Sequence, residues 1–104
     1  MSTPADSAAA QLRLCQHHER RLQRQLDSSE STLAQQQETL EMHGQQIEAV
    51  ENSGAADMID QLDRLIVQEE SMDSDIQQTH NTIMDLRRRL HDARMGSIAA
   101  TTAS

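Results

Sequence analysis

The stretch Glu51-Asn52-Ser53-Gly54 separates two long runs that share one periodicity. Each run contains twelve mostly apolar positions at alternating spacings of three and four residues, and we call these 24 positions the seam. They are Leu12, Cys15, Glu19, Leu22, Leu26, Ser29, Leu33, Gln36, Leu40, His43, Ile47, Val50, then Ala55, Met58, Leu62, Leu65, Glu69, Met72, Ile76, Thr79, Ile83, Leu86, Leu90, Ala93. This spacing is typical of the a and d positions of a coiled coil. Because glycine accepts a left-handed conformation after a helix, the stretch predicts a turn.

The sequence therefore predicts an all-α fold, an antiparallel two-helix coiled-coil hairpin, either alone or self-associated into a helical bundle. The predicted hairpin covers residues 8–95, with helices at 8–50 and 55–95 and a turn at 51–54. Residues 1–7 are small and polar, and we predict a flexible N-terminal tail. The last residues, 96–104, are rich in Ala, Thr and Ser, and we predict a disordered C-terminal tail.

A tight turn also predicts a register between the helices. If Val50 faces Ala55, residues whose numbers sum to 105 share a layer. Gln36 then meets Glu69, so that the amide can donate to the carboxylate, and polar seam residues of this kind commonly fix register. One stripe per helix is a small core, so we expect marginal stability unless a partner or a second copy covers the hairpin.

Composition excludes several classes of protein. The chain has no Trp, Tyr or Phe, which disfavours a compact α/β or all-β core. Its net charge of −8 argues against nucleic-acid binding, which depends on neutralising phosphates. No apolar run is long enough to predict membrane insertion, and the N-terminus does not resemble a signal peptide. A single cysteine excludes an intramolecular disulfide, so we expect a cytoplasmic protein.

Charge is unevenly distributed along the chain. Eight of the nine Arg lie near the two ends: Arg13, Arg20, Arg21, Arg24, Arg87, Arg88, Arg89, Arg94. Between Glu38 and Asp75, eleven acidic residues accompany one arginine, Arg64. One interpretation is solvated helix faces with pairing across the hairpin. The other is a basic end and an acidic end that dock on oppositely charged partners, with Arg20, Arg21, Arg24 and Arg87 to Arg89 as binding residues.

A second set of apolar residues lies outside the seam, on the second run: Ile59, Ile66, Val67 and Met84. Such residues can widen the seam of a two-helix hairpin. They can also form a docking face for a third or fourth helix. Because the first run offers few apolar residues to cover them, we favour the docking face and predict that these four bind a partner.

Neither metal binding nor catalysis is favoured by the sequence. His17 and His18 are adjacent and diverge on a helix, and no histidine pair has a spacing of four residues. No phosphate-binding glycine loop is present, and a two-helix hairpin offers no concave cleft for a catalytic set. We therefore expect a protein that is not an enzyme and has no cofactor or metal site.

Two segments of the chain resemble a known family. The first is Arg20-Arg21-Leu22-Gln23-Arg24-Gln25-Leu26 with its continuation through Gln45-Gln46-Ile47, and the second is the return run 76–90, which ends Asp85-Leu86-Arg87-Arg88-Arg89-Leu90. This is the FliJ/YscO-like family of stalk proteins of type III secretion and flagellar export. The resemblance covers about 80 residues. It implies a non-catalytic accessory protein of bacterial virulence that contacts the export ATPase, the export gate or chaperones.

Two other hypotheses remain open at this stage. The hairpin could be a small secretion chaperone or a secreted helical subunit, which would pair with a hydrophobic helix or form a homo-oligomer. It could also be a generic coiled-coil adaptor with no role in secretion. All three are protein-interaction functions, and they differ in the partner.

Overall fold

The computed structural model describes residues 4–103, and in this part of the chain every regular element is helical. Helix α1 spans Pro4–Glu51 and helix α2 spans Met58–Ala103, with residues 52–57 between them. Side chains bond between α1 and α2 in two places, each described below. The predicted all-α two-helix hairpin is confirmed. Its predicted self-association stays a prediction.

The turn is held by its own backbone and by one serine. The Asn52 N–H donates to the Glu48 carbonyl and the Ser53 N–H to the Val50 carbonyl, which satisfies the last carbonyls of α1. The Ser53 hydroxyl donates to that same Val50 carbonyl and accepts from the Ala55 N–H. Gly54 follows with a φ of 64°, a left-handed conformation that suits glycine. The chain therefore leaves α1 as the sequence predicts.

Helix α2 begins later than the sequence suggested. The Asp57 carbonyl accepts the Gln61 N–H, and the Met58 N–H donates to the Ala55 carbonyl. Asp57 therefore occupies the N-cap position, which aspartate favours. The predicted turn of residues 51–54 becomes a longer connection, because the chain needs a capping residue before the first helical turn.

Both helices also extend further outward than predicted. Helix α1 starts at Pro4, and proline suits the first turn of a helix because its missing N–H would have no partner there. Helix α2 continues to Ala103, and the residues of high helix propensity in this extension are Ala99, Ala100 and Ala103. The proposed tails at 4–7 and 96–103 are thus helical in the structure, whereas residues 1–3 and 104 lie outside the described residues.

The seam is where the helices meet. All 24 predicted seam positions are buried or half-buried. Among the remaining residues whose exposure the structure describes, only six are not fully exposed: Ala8, Ala10, Gln23, Gly44, Gln61, Asp85. A narrow stripe with an exposed outer surface is the arrangement that coiled-coil periodicity predicts.

The structure divides into two compact units, each containing a part of both helices. We call residues up to Ser29 together with those from Thr82 the terminal unit, and Glu30–Asn81 the turn unit. The terminal unit contains all five buried apolar residues of the described chain: Leu22, Leu26, Ile83, Leu86, Leu90. In the turn unit the apolar seam residues are only half-buried, and the one buried residue described there is His43.

The register within the turn unit differs from the prediction. The Nε2–H of His43 donates to the Leu65 carbonyl at 2.6 Å, a pair whose numbers sum to 108. The facing helix ends, Glu51 and Met58, sum to 109. Relative to the predicted sum of 105, α2 is displaced by about four residues, or roughly 6 Å. The cause is the longer turn, and Gln36 consequently lies level with Met72 instead of Glu69.

The terminal unit also excludes the predicted register. The guanidinium of Arg94 donates to the Gln23 side-chain oxygen at 3.2 Å. A sum of 105 would place these residues about 18 Å apart along the axis, farther than the two side chains can span. A sum of 109 reduces this offset to about 12 Å, and both side chains lean toward the N-terminus of their own helix and hence toward each other. That register sets Leu26 level with Ile83.

Cysteine pairs distinguish the two registers in solution. In a Cys15→Ser background, Ile47→Cys with Leu62→Cys should oxidise readily to an intrachain disulfide, because these positions share a layer in the observed register. Ile47→Cys with Met58→Cys, which shares a layer only if numbers sum to 105, should oxidise slowly because its Cα atoms are too far apart. Free-thiol titration over time measures both rates. Faster oxidation of the second pair would contradict the observed register.

Candidate interaction surfaces

The four apolar residues predicted to bind a partner are all exposed in the structure. Their exposed fractions are 77 % for Ile59, 48 % for Ile66, 58 % for Val67 and 68 % for Met84. The first three lie in the turn unit, and Met84 lies in the terminal unit. Their role in binding stays a prediction. The structure exposes four further large apolar residues that the sequence analysis did not single out: Leu14, Met42, Met95, Ile98.

The heptad pattern also predicts the exposure of these four further residues, because they lie outside the seam. Met84, Met95 and Ile98 follow one another at spacings of eleven and three residues, so they share one outward stripe of α2. Leu14 and Met42 each stand alone on the outward side of α1, where single exposed apolar residues are common. The stripe on α2 is therefore a better indication of a binding surface than the isolated Leu14 and Met42.

Two sides border the seam, and they differ in character. Each heptad has a first seam residue and, three positions later, a second one, such as Leu12 and Cys15. We call the residues directly after each second seam residue the e flank, and the residues directly before each first seam residue the g flank. An antiparallel pair brings equivalent flanks of its two helices together. The bond between Gln23 and Arg94 shows this for the terminal unit, because both residues belong to the e flank.

In the turn unit the e flank contains a glycine and two isoleucines, beside polar residues that include Glu51 and Asp73. His43 bonds to the Leu65 carbonyl, and the residues that directly follow them are Gly44 and Ile66. Ile59 lies on the same flank, two helical turns before Ile66. A methyl group built on Gly44 meets nothing within 4 Å among the described residues, so the surface at Gly44 is open and carries no side chain.

Acidic side chains surround this flank. The turn unit contains twelve Asp and Glu against one Arg, a formal charge of −11. Six exposed carboxylates lie on the flank or near it in sequence: Glu41, Glu48, Asp60, Asp63, Glu70, Asp73. Like charges held in a small volume repel one another, and a cationic partner relieves that repulsion. The sequence-predicted acidic cluster is therefore a property of one compact unit.

The six arginines predicted as binding residues are brought into one unit by the fold. The terminal unit contains eight Arg against five acidic residues, a formal charge of +3. Asp85 pairs with Arg88 at 2.7 Å and with Arg89 at 3.0 Å, but exposed pairs of this kind stabilise a helix by only about 0.5 kcal/mol. Arg20, Arg21 and Arg24 are exposed on α1. Their part in binding stays a prediction.

The g flank of the turn unit contains an open groove of roughly 290 Å³. Its lining is mostly uncharged and polar: Thr32, Gln35, Gln36, Thr39, Met72, Asp75. Within residues 4–103, the buried side-chain oxygen of Gln36 has no hydrogen-bond partner. The predicted donation from the Gln36 amide to Glu69 is wrong, because the register sets the apolar Met72 beside the amide.

The described residues contain no group of three or more His, Cys, Asp or Glu placed to hold a metal ion. Cys15 is a half-buried free thiol in the seam. No helix among the described residues has a stretch both long and apolar enough to cross a bilayer.

Comparisons with known proteins add no relative. No protein-family model matches the chain, and neither a curated protein nor a solved structure is significantly similar to it.

Replacing Gln36 by leucine should stabilise the hairpin. The substitution removes a buried oxygen without a partner and adds apolar surface beside Met72, so we expect the free energy of unfolding to rise by about 1–2 kcal/mol. Thermal unfolding followed by circular dichroism measures the change. Gln37→Leu, on an exposed position of the same helix, is the control and should leave stability nearly unchanged. A lower unfolding free energy for Gln36→Leu would contradict the assigned seam.

Two glycine-to-alanine substitutions should have opposite effects. Gly44 is helical and has free space at its Cβ position, so Gly44→Ala should raise the free energy of unfolding by about 1 kcal/mol. Gly54 has a positive φ, so Gly54→Ala should lower it by about 1 kcal/mol. Urea unfolding of both variants provides the comparison. Equal effects of the same sign would contradict the structure of the turn.

Proposed function

We propose that this chain is a protein-interaction module that acts through the exposed faces of its helices and performs no chemistry of its own. The observation that supports this most directly is the set of large apolar side chains left outside the seam, Ile59, Ile66, Val67 and Met84 foremost. Exposed apolar residues cost solubility unless a partner covers them, and clustered ones are typical of binding sites.

The charge distribution supports the same proposal. One compact unit has a formal charge of +3 and the other of −11, although the whole chain has a net charge of only −8. Separated charge of this kind steers partners of opposite sign to defined regions and discriminates against others. Two chemically different surfaces on one small chain suit a protein that contacts two components of an assembly.

As the more specific form of this proposal, the chain is an accessory stalk protein of a type III secretion or flagellar export apparatus in the cytoplasm. The resemblance of residues 20–26 and 76–90 to that family supports it, as does the two-helix fold. In this role the arginines of the terminal unit and the acidic turn unit contact different components, the export ATPase and the export gate among them. Chaperones and a second copy of the chain are the competing partners.

Affinity capture with the full chain tests this proposal. The chain is immobilised and exposed to extract from its native host, and bound proteins are identified by mass spectrometry. We expect an export ATPase or gate protein to be retained, and to be lost with the triple variant Arg20→Gln, Arg21→Gln, Arg24→Gln, because that variant removes three charges from one helix face. The control triple, Gln11→Ala, Gln16→Ala, Gln25→Ala, changes exposed residues of the same helix without altering charge.

The outcomes separate the general proposal from the specific one. Retention of a different assembly that depends on the three arginines supports an interaction module and rejects the secretion role. If neither the parent chain nor the control retains any protein beyond the bare matrix, the interaction proposal is contradicted. Circular dichroism of each variant, with unchanged helicity expected, ensures that loss of binding is not loss of folding.

A further inference from the structure

We propose that the e flank of the turn unit is a docking surface for a basic amphipathic helix of another protein, with Gly44 at the point of closest approach. This inference deepens the proposed function, on which it rests, by naming the surface and the chemistry of its partner. Three independent features of the flank support it: an unexplained glycine, a pair of exposed isoleucines, and a surrounding acidic field.

The glycine is the first feature. Gly44 lies inside α1, where glycine costs about 1 kcal/mol relative to alanine. Its backbone does not need glycine, because the only positive φ among the described glycines belongs to Gly54. Nothing within the described hairpin would meet a Cβ there. A residue that weakens its helix and fits no contact of its own fold is explained by the close approach of a second backbone.

The isoleucines are the second feature. Ile59 and Ile66 are exposed by 77 % and 48 %, and a spacing of seven residues sets them about 10 Å apart on one side of α2. Ile66 lies across the seam edge from Gly44, since both directly follow the bonded pair His43 and Leu65. Apolar side chains beside an open position without a side chain allow an amphipathic helix to approach closely and bury its apolar face.

The acidic surroundings identify the partner. The exposed carboxylates of Glu48, Asp63, Glu70 and Asp73 accompany the isoleucines, in a unit whose formal charge is −11. A helix with Lys or Arg on both sides of an apolar stripe satisfies the isoleucines and the charge together. A second copy of this chain would set another turn unit of −11 against the first, so like charges would oppose that pairing.

Partner binding would also complete a seam that the hairpin leaves half-covered. The apolar seam residues of the turn unit, Leu40, Ile47, Leu62 and Leu65 among them, are half-buried and not buried. A third helix along the e flank covers one open side of these residues. Removal of this remaining apolar area from water favours docking, in addition to the contacts of the isoleucines themselves.

The test uses the full chain and a defined probe. The probe is a fluorescently labelled synthetic helix of about 18 residues, built from Leu on one face and Lys on the others, with a length of about 27 Å. Its counterpart has Glu in place of every Lys. Fluorescence anisotropy at physiological salt measures binding. We expect the Lys peptide to bind and the Glu peptide to show no measurable binding.

Matched variants locate the site. Gly44→Leu places a side chain at the point of closest approach and should weaken binding of the Lys peptide about tenfold or more, as blocking the centre of an interface does, while helicity is kept or increased. Gln46→Leu adds the same side chain to the g flank of the same helix and should leave binding unchanged. Ile66→Glu should also weaken binding, although its added negative charge favours a cationic peptide. Its matched control, Gln46→Glu, adds that charge on the g flank and should leave binding unchanged or slightly tighter.

Several results would overturn the inference. The first is that the Lys peptide binds Gly44→Leu as tightly as the parent chain, and the second is that Gln46→Leu weakens its binding as much as Gly44→Leu does. The third is that the Glu peptide binds as tightly as the Lys peptide. The fourth is that the parent chain sediments as a dimer and Gly44→Leu dissociates it. Each leaves the broader proposal separately testable, because capture of partners through Arg20, Arg21 and Arg24 depends on the terminal unit. Arginine-dependent capture of a different assembly, with intact peptide docking, would overturn only the assignment to a secretion apparatus.

Discussion

Burial of the seam is the one interaction on which the rest of this protein depends. A two-helix hairpin has no second layer, and each helix contributes a single stripe to the core. The backbone hydrogen bonds of each helix satisfy its peptide groups, but only the seam joins one helix to the other over their length. Since no aromatic side chain is available, the buried area comes from Leu, Ile and Met. The protein therefore depends on many modest contacts and has no single dominant one.

The seam is not equally effective throughout. In the terminal unit, Leu22, Leu26, Ile83, Leu86 and Leu90 lose almost all their exposure to water. In the turn unit the corresponding residues remain half-exposed, and the buried position belongs to His43, whose ring bonds to the Leu65 carbonyl. A polar seam residue with a specific partner fixes alignment at a cost in stability. The turn unit is thus well aligned but thinly covered, which suits a region that a partner completes.

Most of the fold was predictable from the sequence, because the heptad spacing alone identifies both helices, the turn and every seam residue. The register was not, since it depends on the length of the turn. The pattern showed Gly54 as a helix terminator, but the N-cap role of Asp57 required the backbone path between the helices. The start of α2 at Met58 instead of Ala55 changed the neighbour of Gln36 from Glu69 to Met72. The sequence did not predict the helix ends at Pro4 and Ala103, because short segments of small and polar residues are as typical of disordered tails as of helix ends.

The candidate site was predictable only in part. Ile59, Ile66, Val67 and Met84 stand outside the heptad pattern, so their exposure follows from sequence alone. The open space at Gly44 does not, because a glycine in a helical run gives no indication of what lies beside it. Only the pairing of His43 with Leu65 shows that Gly44 and Ile66 border the same edge of the seam.

The central claim is that the terminal unit holds the isolated hairpin together, while the turn unit is left incomplete for a partner. Hydrogen exchange of the isolated chain tests this most directly, since backbone amides exchange according to the local free energy of opening. The claim predicts the slowest exchange at residues 22–26 and 83–90, and clearly faster exchange at residues 33–47 and 62–76. Equal protection of these segments, or greater protection of residues 33–47 and 62–76 in the isolated chain, would contradict it.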